Sequence, residues 1–313
     1  MKLAVAIPNS LLKFAVMGIL GGAALLSAPA AEAGTYYLGF EKAPDSTDLD
    51  SFALDSNSGQ TIDGVTYGTQ SGFASIGDIW SSLGINIMGY DNDYVTNVLN
   101  GDMPDNGGRT LGLFQSNCLP GQNGIYAGGT SVEGWTTDCV WNNKSGQGDN
   151  DLATGTYYKD ANDNKILDSG EEIIYSSNPL GNVLIFEEGA GNDRPDDTAK
   201  GGTFVFDFSQ FDGDWAIDEM SVVDDAQGWI TYFYEDGTNS QEEIDIAGEN
   251  EVKFFNQSQH QKISKLAVQF DNSGGIGGIR LKEIKPASIP EPATMVGLMV
   301  VGAGMMLSRC KKG

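Results

Sequence analysis

Short runs of alternating apolar and polar residues, separated by clusters of Gly, Asp and Asn, make up most of this chain, and an apolar period of 3.6 residues persists almost nowhere. The alternating runs are Thr35–Glu41, Gly64–Tyr67, Gly84–Met88, Asn182–Glu187, Gly202–Phe208, Gly228–Tyr234, Ile263–Phe270 and Ile276–Ile284. Side chains alternate across a strand, so each run has one face to bury. Runs at this spacing with turn residues between them predict an all-β chain, an antiparallel β-sandwich or jelly roll with long Gly/Asn/Asp-rich loops. Gly77–Leu83 alone suggests a short helix or turn. A single sandwich whose first and last strands meet is expected, because residues 34–89 are too few for a core of their own. Two compact domains are the other arrangement the length allows. Gly101–Leu152, rich in Gly, Asn and Asp, reads as an irregular insertion.

Both ends break the alternation. Lys2 and Lys13 precede an apolar stretch from Phe14 to Leu26, and Ala31-Glu32-Ala33 follows. Positive start, short apolar run and small residues predict a secretory signal peptide over residues 1–33. At the other end Ala293–Leu307 is uncharged for fifteen residues and is followed by Arg309, Lys311 and Lys312. As a helix it would reach about 22 Å, short of the roughly 30 Å hydrocarbon core, with a basic stub favouring the cytoplasmic side. A body of residues 34–289 remains.

The order Pro290-Glu291-Pro292, apolar run, basic stub resembles the PEP-CTERM sorting signal of Gram-negative bacteria, over residues 289–312 only. The resemblance implies signal peptidase and exosortase as processing partners and transient membrane insertion through residues 290–313. It also implies delivery to the cell surface, outer envelope or extracellular matrix, in association with exopolysaccharide. An uncleaved C-terminal anchor is the alternative reading. Two further stretches carry resemblances. Gly148–Leu152, Leu180–Glu188, Arg194–Asp197 and Gly201–Phe206 look like a β-sandwich unit of secreted bacterial proteins without assigned activity. Ser273–Ile279 is similar to a Ser-Gly-Ala-Ile-Asp strand common in PEP-CTERM proteins, but Gly277 stands where the aspartate usually is, so no role of that carboxylate carries over.

Charge and rare residues then exclude chemistry. Lys2, Lys13, Arg309, Lys311 and Lys312 are five of the 18 basic residues, and Glu32 and Glu291 two of the 43 acidic ones. The body therefore holds 13 against 41, a charge near −28. That field repels phosphate backbones and attracts divalent cations. His260 is the single histidine, in a polar stretch, which removes His-rich metal sites and leaves one residue on which to build any Ser-His-Asp set. Cys118 and Cys139 are a lone pair in an exported body and predict a disulfide closing 22 residues. Such a bridge stabilises by roughly 3 kcal/mol on the chain-entropy account.

One motif carries metal chemistry. From Asp160 to Glu171, oxygen donors fall at positions 1, 3, 5, 9 and 12: Asp160, Asn162, Asn164, Asp168 and Glu171, with the Ile166 carbonyl at position 7. Ca²⁺ takes six to eight oxygens, often closed by a bidentate glutamate, so a structural calcium site suited to millimolar calcium is expected. The twelve residues resemble the EF-hand and related loops of secreted bacterial proteins. They depart at position 6, where Lys165 replaces the usual Gly, and their flanks Thr156–Tyr158 and Glu172–Tyr175 read as strands instead of helices. A softer acidic group comprises Asp149, Asp151, Asp193, Asp196, Asp197, Asp224 and Asp225.

The combination points to a non-catalytic exported surface or matrix protein, a calcium-stabilised β-sandwich that binds polysaccharide. Trp135 and Trp141, flanking Cys139, are candidate glycan contacts beside Trp80, Trp215 and Trp229. The alternatives are a glycoside hydrolase or lyase working through paired carboxylates and a calcium-dependent adhesin.

Overall fold

The computed structural model describes residues 34–49, 59–68, 72–102, 108–116, 130–133, 152, 154, 156–159, 168–170, 173–176, 180–187, 198–248, 251–257 and 261–285. They form an antiparallel β-sandwich, as the alternation predicts. The segments expected to flank it as signal helix and apolar tail lie outside the described residues.

One sheet has the order β14 (Val252–Asn256), β11 (Trp215–Val223), β16 (Gly275–Glu283), β9 (Asn182–Phe186), β5 (Leu111–Gln115), with β1 (Thr35–Gly39) also paired to β16. The second has the order β13 (Asn239–Asp245), β12 (Gln227–Tyr234), β15 (Ile263–Phe270), β10 (Gly202–Asp207), β4 (Asn86–Tyr90). Two smaller sheets are the hairpin β2 (Gln60–Ile62)–β3 (Val65–Tyr67) and the set β6 (Thr130–Glu133), β7 (Thr156–Lys159), β8 (Ile173–Ser176). The first and last strands of the body do meet: Thr35 pairs with Lys282 and Gly39 with Gly278.

The core forms between the two large sheets. Ile276, Ile279 and Leu281 of β16 face Phe204, Leu266 and Val268 of the other sheet, all fully buried. A 3₁₀ helix, Ile76–Leu83, adds Ile76, Ile79 and Trp80 to this core, and the Ser75 hydroxyl caps it by accepting from the Gly77 amide at 3.2 Å. Trp80 meets Phe40 edge to face at 5.5 Å. Among the described residues one α-helical segment, α1 (Tyr94–Asn100), lays Tyr94 and Val95 on Val205 and Ala267, covering part of the five-stranded sheet's outer face.

The outer face of the six-stranded sheet is half covered. Val183, Ile185, Phe114 and Val223 point away from the main core and are buried under Leu152 and Leu180. Hydroxyl groups pin that cover. Ser116 donates to the Gly181 carbonyl at 2.7 Å and meets Thr154 Oγ1 at 2.7 Å, and the Leu180 amide donates to Thr154 Oγ1 at 3.0 Å. Leu111–Gln115, inside the stretch expected to be irregular, is thus a sheet strand with both faces buried at Leu113 and Phe114. On the other half, over β14, β11, β16 and β1, Tyr37 and Phe254 are exposed, while Ser221 and Gly278 between them are buried.

Candidate ligand-binding face

That second half is built by strand alternation and two bulges. With Ile279 and Leu281 turned inward, Gly278 and Arg280 of β16 face outward. Pairing places Phe254, Ser221, Gly278 and Gly39 in one row across four strands, and Glu219, Arg280 and Tyr37 in the next. The pairing of β11 with β16 slips between Ile217 and Glu219 and again between Ser221 and Val222, which leaves Asp218 and Gly277 as extra residues. A bulge re-aims side chains, and here Asp218 and Glu219 both reach Arg280, at 2.6 Å and 3.2 Å.

Small residues decide what the face presents. A Cβ on Gly39 would stand 2.8 Å from Tyr37 Cε1, and one on Gly278 would run into the Tyr37 hydroxyl. The phenol ring therefore rests on bare backbone, with its hydroxyl donating to the Gly277 carbonyl at 3.5 Å. Tyr37 remains 60% exposed, and Phe254, in the row over which the Tyr37 ring leans, 38%. Partial burial, then the Glu41 and Glu219 carboxylates, holds the Tyr37 phenol above its ordinary value, so it stays uncharged.

Beyond Tyr37 the row ends in a cleft of about 320 Å³. It lies where β16 exchanges partners, from β9 at Gly275 and Ile276 to β1 from Gly278 onward. Tyr36, Tyr37, Phe40, Glu41, Trp80, Leu180 and Gly277 line it. Asn182 fixes its shape: the buried amide donates to the carbonyls of Phe40 and Leu49 at 3.0 and 2.9 Å. Glu41 stands against Gly181, where a Cβ would run into Glu41 Oε1 and the φ of 74° favours glycine. Gly277 is explained in the same way, since a Cβ there would lie 2.6 Å from Leu180 Cδ1 and 2.8 Å from Ser221 Oγ. A carboxylate at that position would require Leu180 and Ser221 to shift.

The structure sorts the candidate residues. Trp80 is buried in the core, Trp215 is half-buried against Tyr36 and Phe211, and Trp229 is 41% exposed on the outer face of the five-stranded sheet. Trp135 and Trp141 lie outside the described residues, as do Cys118, Cys139, Pro290, Glu291 and Pro292. Of the calcium motif, Asp168 is described and exposed, whereas Asp160, Asn162, Asn164, Ile166 and Glu171 lie outside. The strands predicted on either side of it are present, with Thr156 pairing Ser176 and Tyr158 pairing Ile173. Among the described residues no group of three or more His, Cys, Asp or Glu is placed to hold a metal. None of their helices is long and apolar enough to cross a membrane.

Within the softer acidic group, Asp224 and Asp225 join two turns. Buried Asp224, with φ of 90°, accepts from the Ser273 hydroxyl. The Asn272 amide nitrogen donates to the Asp225 carbonyl at 2.9 Å. A different carboxyl, Glu187, reads in the sequence only as the end of a strand. Glu187, directly after the buried run Val183–Phe186, is 9% exposed, and burial pushes its pKa up to about 8. Its Oε2 has no hydrogen-bond partner among the described residues. The sequence signal was an acid closing an unbroken apolar run.

No protein family, no curated protein and no solved structure matches the chain.

Proposed function

We propose that this chain is a non-catalytic exported protein that binds polysaccharide at the bacterial surface or in its matrix. The observation that carries the reading is the half-face on which Tyr37 and Phe254 expose their rings beside the paired charges of Arg280, Asp218 and Glu219. Sugar rings present an apolar C–H face and an equatorial rim of hydroxyls. Flat aromatic surface serves the first, and fixed charged donors and acceptors serve the second. The address comes from the sequence ends, through signal peptidase, exosortase and passing insertion of the tail. Calcium belongs to the same reading: Asp160, Asn162, Asn164, the Ile166 carbonyl, Asp168 and Glu171 would supply hard oxygen ligands that brace the connection between β7 and β8.

Retention of the full chain by surface polysaccharide from an exosortase-bearing bacterium tests the binding. A chain that passes through unretarded overturns it. Changing Pro290, Glu291 and Pro292 to alanine tests the address, with the altered protein expected to stay in the membrane fraction and the original to leave it.

A further inference from the structure

We infer that the row from Phe254 to Tyr37 takes an uncharged polysaccharide strand, laid across the β-strands with one sugar on each ring and its continuation entering the cleft at Gly277. This rests on the polysaccharide reading and specifies its site and ligand class.

Three observations carry it. The first is spacing. Phe254 on β14 and the Tyr37 ring over Gly278 on β16 are two strand intervals apart, about 10 Å. That is comparable to the length of a disaccharide unit, so the two rings would take alternate sugars of a chain. Between them Ser221 is short and buried, so no side chain of β11 stands up in the path of a chain. The second is orientation. Tyr37 lies down because Gly39 and Gly278 have no side chains, so a ring face is presented to solvent, and ring faces are what sugar C–H groups pack on. The third is charge. Arg280 is engaged by Asp218 and Glu219, and Glu41 adds a third carboxylate at the cleft. With the whole chain at −25, the field at this face opposes a polyanion, whereas hydroxyls accept from the guanidinium and donate to the carboxylates.

Trp229 provides the internal control, since it is exposed to a similar degree as Phe254 but sits on the opposite sheet. The experiment is affinity electrophoresis of the full chain and of Tyr37→Ala, Phe254→Ala and Trp229→Ala. The gels contain dextran, a mixed-linkage β-glucan, galactomannan, polygalacturonate or alginate. Retardation is expected in at least one neutral polymer and in neither uronate. Each of Tyr37→Ala and Phe254→Ala is expected to weaken it about tenfold, and Trp229→Ala to leave it unchanged. Retardation by the uronates alone overturns the ligand class, and loss in Trp229→Ala with retention in the other two overturns the site. Retardation by no polymer overturns the polysaccharide reading itself. Circular dichroism of each variant separates lost binding from lost fold.

Discussion

Phe186 of one sheet and Phe204 of the other stack with ring centroids 3.7 Å apart and planes 19° from parallel, both fully enclosed. Phe204 also meets Phe270 edge to face at 5.7 Å. Removing such a ring forfeits its transfer energy and leaves a cavity. Phe204→Ala is expected to lower unfolding free energy by about 3–5 kcal/mol. Urea denaturation checks this, with the midpoint falling and the slope unchanged.

The next residue after Phe186 makes the fold sensitive to pH. With a folded-state pKa of about 8 against an ordinary 4.5, Glu187 keeps a proton in the folded state that the unfolded chain has released. Its contribution to stability is complete below about pH 4.5 and lost progressively as pH rises to about 8. Glu187→Gln removes the burden of the buried charge. It should match the original protein at pH 5 and exceed it at pH 8, by an amount on the order of a few kcal/mol. Equal pH dependence of the melting temperature in both proteins would refute this.

Gly39→Ala tests the platform without touching either aromatic residue. The added methyl lies 2.8 Å from the Tyr37 ring and must lift it from the sheet. Stability is expected to change by about 1 kcal/mol or less, while the near-ultraviolet dichroism of tyrosine changes and retention by neutral polymer weakens. Unaltered retention would show that the ring's pose is unimportant.

Calcium is tested by melting in about 1 mM Ca²⁺ against chelator, where binding to the folded state alone raises the midpoint. The rise should disappear in Glu171→Gln. An equal rise in that variant, or none in the original, removes the loop assignment.

Much of the sandwich was legible because period-two alternation survives wherever one face meets the core, as in Gly228–Tyr234 and Ile263–Phe270. Trp215–Val223 escaped notice although it is a central strand. Its bulge at Asp218 sets Asp218 and Glu219 side by side and breaks the alternation. Asn239–Asp245 escaped for another reason: as an edge strand it buries only Ile244 and otherwise reads as polar loop. Leu111–Gln115 is covered on both faces and so shows no alternation at all. The binding face was less legible still. Attention falls on tryptophans, while the exposed ring at Tyr37 depends on glycines at 39 and 278, and their adjacency arises only when the first strand pairs with the last.

That pairing also imposes an order of events. Thr35 and Lys282 are 247 positions apart, so the first strand to leave the ribosome waits for nearly the whole body before it finds its neighbour. Until then β16 does not exist as a template, and β11, β9 and β1 have no common partner. Contacts of such long range slow folding. A chain stalled or cut short before residue 275 would hold most of its apolar strands without the one that joins them. The six-stranded sheet cannot be completed until residues 275–283 are present.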